Sequence, residues 1–394
     1  MSSLTSYAAV NVQLNRLRRR WQRFVGFIFP SETDTWLTVF RIGLGLQITF
    51  YALFLRSDWH YLFASSGKGL VGRELGEAIS SFDSPLIPKF GWLIAVGRNL
   101  NMSEETVLTV AWVSLLSAGC LLLFGLLSRP AAIVAWFIHL CAAESGGLLA
   151  YGADNFMTTA LFYLMLSPLP DRYSFDHWVA KTKPKNPQAL GFWRRVLQVH
   201  LCFVYFIGGV AKFLGNGWWD GSNLWRSLIR PGFNLVSPDL LVHFRYVLPL
   251  LGISICLLEV SYPVFIWLKR TRRIWLGCIL AMHAAIGLMM GLYLFALIMI
   301  VVNLAAFGVQ HGQQRTGDLN NCQGIKIHTK LPGSEPDEPG PQVLTRWSKS
   351  AQDRPLKRTP YESDVVSRNV FLCADVIFIT SCGTATFTKP DAMP

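Results

Sequence analysis

The sequence predicts an all-α fold: a polytopic membrane helix bundle of about eight transmembrane helices, led by an amphipathic helix and followed by a poorly structured tail. Three observations carry this expectation. Of the 394 residues, 52% are hydrophobic and only 15% charged, where soluble domains average about 25% charged. The apolar residues come in runs close to the roughly 20 that cross a bilayer as a helix. The basic residues behind the net charge of +12 collect between those runs. Such clusters read as topology signals, so nucleic acid is not an expected partner and membrane lipids are.

Residues 1–30 form the first segment. Arg16, Arg18, Arg19, Arg20 and Arg23 surround a stripe of Leu14, Leu17, Trp21, Phe24, Val25 and Ile28. That pattern suits a basic helix lying on an anionic leaflet or packed on another part of the protein. Pro30 follows with no small-residue cleavage site, so the segment does not read as a cleaved signal. Ser31 then opens SETD, a capping-box pattern, ahead of a long apolar helix.

The transmembrane domain is expected over residues 31–310, with spans near 34–55, 106–127, 130–149, 151–168, 196–214, 246–267, 274–289 and 291–308. Gly291 alone separates the last two, which also read as one broken segment. The loop 56–105 holds LIPKFGWLIAVG, a re-entrant or interfacial stretch; the loop 215–245 is rich in Trp. With the amino terminus inside, inner segments carry twice as many Lys and Arg as outer ones. Both termini are therefore expected in the cytoplasm, with the chain in a cell (inner) membrane. Residues 311–394 read as a partly disordered cytoplasmic tail containing the linker GSEPDEPGPQ. The eight cysteines form no CxxC pair and no zinc-like spacing with histidine, so no metal site is expected.

A charge inside the hydrocarbon costs about 2.5–3.5 kcal/mol on insertion scales, so each one needs a reason. Lys212 lies 17 residues beyond Arg195, about 26 Å along the fifth span and near its outer end. Glu144, at the end of the third span, and Asp154, at the start of the fourth, share that tier. Gln198, Tyr205 and Lys212 recur every seven residues and fall on one stripe. Gly208 and Gly209 thin the wall beside the lysine, and Trp218 and Trp219 follow it. Two roles are open to Lys212. It can snorkel to the headgroups, or face a cavity with Glu144 or Asp154 as counter-charge and Tyr205, Asn155 and Gln198 as hydrogen-bond partners. Asp154 can alternatively cap its own helix. Arg41 and Glu259, both assigned to the inner part of their spans, are expected to form a structural ion pair.

The segment YFIGGVAKFLGNGWWDG, preceded by QVHLCFV, resembles the central signature of the HTTM (horizontally transferred transmembrane) domain family. That family includes vitamin K-dependent gamma-carboxylase and SdpB-type membrane proteins. FRIGLG, YGADNF with FYLMLSPLPD, LLEVSYPVF and HAAIGLMMGLYLF add weaker matches over roughly residues 32–310. The resemblance implies a carboxylase-like enzyme using a quinol cofactor such as reduced vitamin K, with Lys212 as the catalytic base. It equally implies a non-enzymatic accessory in maturation or export of a secreted peptide. One departure is visible: Asn155 and Phe156 stand where the carboxylase has a histidine beside an asparagine.

Overall fold

The computed structural model describes residues 2–65, 72–83, 85–146, 151–181, 185–229, 235 and 237–309. The expected tail, with Cys322, Cys373 and Cys382, lies outside them. Among the described residues every regular element is helical.

The chain opens with α1 (Ser2–Ile28) and turns at Pro30 into α2 (Thr35–Phe54). On α1, Leu17, Trp21 and Phe24 are exposed, and its end is held where the Arg195 Nε donates to the Phe27 carbonyl at 2.7 Å. The capping box expected at Ser31 is not the start of α2. The helix begins at Thr35 behind Asp34; ahead of it, Glu32 bonds to α10, its N–H donating to the Pro187 carbonyl at 3.1 Å and its carboxylate pairing with Arg194 at 2.7 Å.

Three short helices, α3 (Trp59–Phe63), α4 (Arg73–Asp83) and α5 (Phe90–Asn99), fill the loop 56–105. At ten residues, or about 15 Å, α5 is too short to cross a bilayer. Two carboxylates pin this cap to the bundle. Glu77 accepts from the Gly91 N–H (2.9 Å), the Ser145 hydroxyl (2.7 Å) and Arg73 (3.2 Å). Glu104 accepts from the Ser65 N–H and hydroxyl, each at 2.7 Å, and from Arg73 at 3.2 Å.

Next come α6 (Glu104–Phe124), α7 (Ser128–Gly146), α8 (Gly152–Leu166) and α9 (Phe175–Ala180). Polar groups close the helix ends as backbone valence demands. Ser103 caps α6, accepting from the Thr106 N–H at 3.2 Å. Asp176 on α9 accepts from the Leu127 and Ser128 N–H groups at the start of α7, at 2.8 and 2.7 Å. Arg129 donates to the Met165 and Ser167 carbonyls at the end of α8, both at 2.9 Å.

The second half runs α10 (Pro187–Phe213), α11 (Asn216–Trp219), α12 (Ser222–Ile229), α13 (Pro238–His243), α14 (Val247–Phe265), α15 (Arg272–Met290) and α16 (Tyr293–Asn303), which ends in a π-helical turn, Leu304–Gly308. Gly291, at φ +72°, takes the left-handed conformation that ends α15, so α15 and α16 are separate helices packed on each other. Five helices, α2, α6, α10, α14 and α15, are long and apolar enough to cross a membrane. By length and composition this is a multi-pass membrane protein. The pairs α2–α6 and α10–α14 make the most extensive contacts, and α16 joins the halves by packing on α2 and α8 as well as on α15.

At the α6–α7 end of the bundle Arg41 and Asp171 are fully buried. This corrects the expected Arg41–Glu259 pair. The Arg41 Nε donates to Asp171 at 2.5 Å, its Nη1 donates to the Leu122 and Leu123 carbonyls at 2.5 and 3.1 Å, and Thr38 donates to Asp171 at 2.7 Å. Arg41 sits only about 9 Å into α2. The segment after α8 therefore reaches it, and a loop carboxylate rather than a helix one supplies its partner.

Candidate functional site

Lys212 ends α10 facing α14. Its Nζ donates to the Glu259 Oε2 at 2.6 Å, with side-chain exposures of 28% and 7%. Gly209 sets the approach of the two helices: a Cβ there would lie 2.7 Å from the Val260 nitrogen and 2.9 Å from the Glu259 Cβ. Gly208, one position earlier, is less crowded: the Glu259 Oε2 and Lys212 Nζ would lie at ordinary contact distance, 3.6 and 3.7 Å, from a Cβ there. Phe206 and Ile207 beside it are exposed. The pair is thus reached through a notch in an apolar face. Trp218 lies over the ammonium, its ring centre 5.6 Å from Nζ, a favourable cation–π placement. Trp219 anchors α11 by donating to the Phe213 carbonyl at 2.9 Å.

A buried polar network continues inward along the same face of α10. The Tyr205 hydroxyl shares a hydrogen bond with His283 Nε2 (2.8 Å) and accepts from Asn303 Nδ2 (2.7 Å). Tyr262 donates to the Asn303 Oδ1 at 2.8 Å. Two turns deeper, Gln198 and Arg194 both donate to the Ala306 carbonyl, at 2.7 and 3.1 Å. That carbonyl belongs to the π-helical turn; such turns displace backbone acceptors from the regular ladder. The stripe Gln198–Tyr205–Lys212 therefore meets polar partners on α14, α15, α16 and the π turn.

The other expected partners are not there. Asp154 lies on α8, where its Oδ2 accepts from the Tyr151 N–H at 3.0 Å. Glu144 on α7 accepts from the Ser80 hydroxyl of α4. Asn155 is exposed on α8. Equal depth is not enough to bring these groups to Lys212. The face of α10 that meets α8 carries His200, bonded to Tyr163 at 2.7 Å. Lys212 is twelve residues on, turned about 120° away from that face. Glu259 replaces them because α14 overshoots α10: its first turns pack against α11 and α12, with Gly252 against the Trp218 backbone. A residue deep in α14 thereby comes level with the end of α10.

The hollow bounded by Phe213, Trp218, Trp219, Ile253, Cys256 and Leu257 measures about 10 Å³, room for a single water. The outer-facing pocket around Lys212 is expected between spans three to five; the ammonium instead meets Glu259 of α14. Among the described residues no three His, Cys, Asp or Glu side chains are grouped to hold a metal ion. Asn303, Tyr262 and Asp171 are site or structural residues that the sequence reading passes over. Asn303 carries a signal, a lone amide in the run LFALIMIVVNLAAF. Substituting Gly209→Val is expected to force α10 and α14 apart and cost about 1–3 kcal/mol by overpacking. Thermal unfolding in detergent, followed by tryptophan fluorescence, would measure it.

No family model, curated protein or solved structure matches the chain.

Proposed function

We propose that this is an HTTM-type membrane protein with eight crossings, α7, α8 and α16 joining the five long helices, and with its more basic side inside the cell. Its Lys212–Glu259 pair handles a proton on a lipid-soluble substrate. The observation that carries the reading is an ion pair 2.6 Å long in a bundle wall, its lysine partly exposed on the face that bears the exposed Phe206 and Ile207. An intramembrane charge pair of this kind is costly to keep and marks function more often than a single charge at a helix end does.

The notch suits a flat, apolar molecule with an acidic hydroxyl, such as a quinol, arriving from the lipid. A quinol supplies a proton and, once deprotonated, an electron-rich oxygen. In this reading Lys212, as the ammonium, sits against that oxygen and stabilises negative charge there. The Glu259 carboxylate is the group with capacity to take the proton. Trp218 holds the lysine side chain in place, and Tyr205 with His283 fixes the helix faces behind it.

The test is reconstitution in air-saturated liposomes, where dissolved oxygen oxidises the deprotonated quinol, with phylloquinol, bicarbonate carrying labelled carbon, and a glutamate-containing peptide. Quinol consumption above protein-free liposomes is expected, with a loss of about a hundredfold or more in Lys212→Ala. Wild-type protein that consumes no quinol, or a Lys212→Ala variant as active as wild type, would remove the enzymatic reading. A secreted peptide recovered with the inactive protein by crosslinking in cells would favour the accessory reading instead.

A further inference from the structure

Away from Lys212, the bundle holds a cavity of about 280 Å³ between α2, α3, α7, α8 and the start of α16. Its wall is mainly apolar, with Phe54, Leu62, Phe63, Ala142 and Leu294 among its members, and among the described residues Asp154 is the one charged residue lining it. Asp154 is 6% exposed. Its Oδ2 accepts from the Tyr151 N–H at 3.0 Å, and its Oδ1 lies 3.6 Å from the His139 Nε2. The second distance is beyond a hydrogen bond.

His139 is fully buried, with Nδ1 bonded to the Thr158 hydroxyl at 2.9 Å; its Nε2 has no hydrogen-bond partner among the described residues. The ring of Tyr51, another lining residue, packs edge-on against it at 5.0 Å. An ionised carboxylate offers about four acceptor sites. A buried one with acceptor capacity unused is costly until a donor arrives. Phe54 and Tyr151, both exposed, stand at the rim.

We infer that this cavity is a binding site for a lipid-soluble amphiphile whose polar end donates a hydrogen bond to Asp154. The apolar wall takes the body of the ligand, and the acid selects a hydroxyl or ammonium end and repels a carboxylate. The site does not depend on the Lys212 reading, since neither Lys212 nor Glu259 lines it.

Three photoreactive diazirine probes on one medium-length chain test it: an alcohol, an amine and a carboxylate, each added to the full chain in lipid nanodiscs. Mass spectrometry locates the label. The alcohol or the amine is expected to label the lining segments of α2, α7 and α8 about tenfold more than the carboxylate, the ratio that roughly 1.4 kcal/mol of preference gives. Labelling by one donor alone identifies which end group the site takes. Asp154→Asn keeps an oxygen for the Tyr151 N–H, so the fold should hold while the discrimination against the carboxylate disappears. Ala143→Phe fills the cavity while Asp154 itself is kept and should abolish the labelling. Equal labelling by all three probes in the wild type, or labelling that survives Ala143→Phe, would overturn the inference.

Discussion

Arg41→Met is expected to be the most damaging single substitution in the bundle, at about 3–5 kcal/mol. It strands the Asp171 carboxylate, fully buried, and removes the Arg41 donor from the Leu122 and Leu123 carbonyls, of which Leu122 keeps the Gly125 N–H at 3.2 Å. Those carbonyls close the end of α6, so the loss spreads to the α6–α7 turn. Arg41→Lys should rescue little, because one ammonium cannot replace a planar fork that reaches an acid and two carbonyls at once. The double variant Arg41→Met with Asp171→Leu should recover part of the loss, since an apolar pair leaves no uncompensated charge. Denaturation in mixed detergent micelles measures each step. A loss under about 1 kcal/mol for Arg41→Met, the scale of an exposed pair, would mean that the cluster is solvated.

Lys212 and Glu259 should respond unequally to loss of their partner. In Lys212→Met the Glu259 carboxylate, 7% exposed, stays in the bundle without its cation, a change of about 3 kcal/mol or more for a buried pair. In Glu259→Gln the lysine keeps an exit. Its side chain is 28% exposed and already lies over Trp218. A long stem can carry the charge outward to the headgroups, so the cost should stay near 1 kcal/mol. The same unfolding experiment on both variants reads the asymmetry. Equal losses would place the two groups in equivalent surroundings, contrary to their burial.

The sequence makes the long helices legible, because burial in lipid demands unbroken apolar runs and the chain supplies them. It also makes one face of α10 legible. Gln198, Tyr205 and Lys212 share that face by helical geometry, and all three meet polar partners there. The partners themselves are less legible. Depth along a helix can be counted in residues, but rotation about it relative to a neighbour depends on tertiary packing. Asp154 and Glu144 have the right depth and the wrong azimuth. Glu259 has the right azimuth and an apparent depth that is wrong, because α14 runs past α10 to cover α11 and α12.

Arg41 fails for a different reason. A charge near a helix end can be answered by a loop, and the segment after α8 carries no sign in the sequence that it folds back onto α2. Gly209 and Gly208 show the same limit within one dipeptide. Both read as small residues beside a lysine, yet one is closed by the Val260 backbone and the other has room for a Cβ at ordinary contact distance from the ion pair.

Lys212 is held by Glu259 across the α10–α14 contact. A double-mutant cycle on Lys212→Met and Glu259→Gln tests it most directly, with stability measured for the wild type, both single variants and the double variant in the same micelles. A direct pair predicts a coupling of roughly 1–3 kcal/mol, the double variant being far less damaged than the singles sum to. Additive losses, agreeing within about 0.5 kcal/mol, would show that the two charges do not meet.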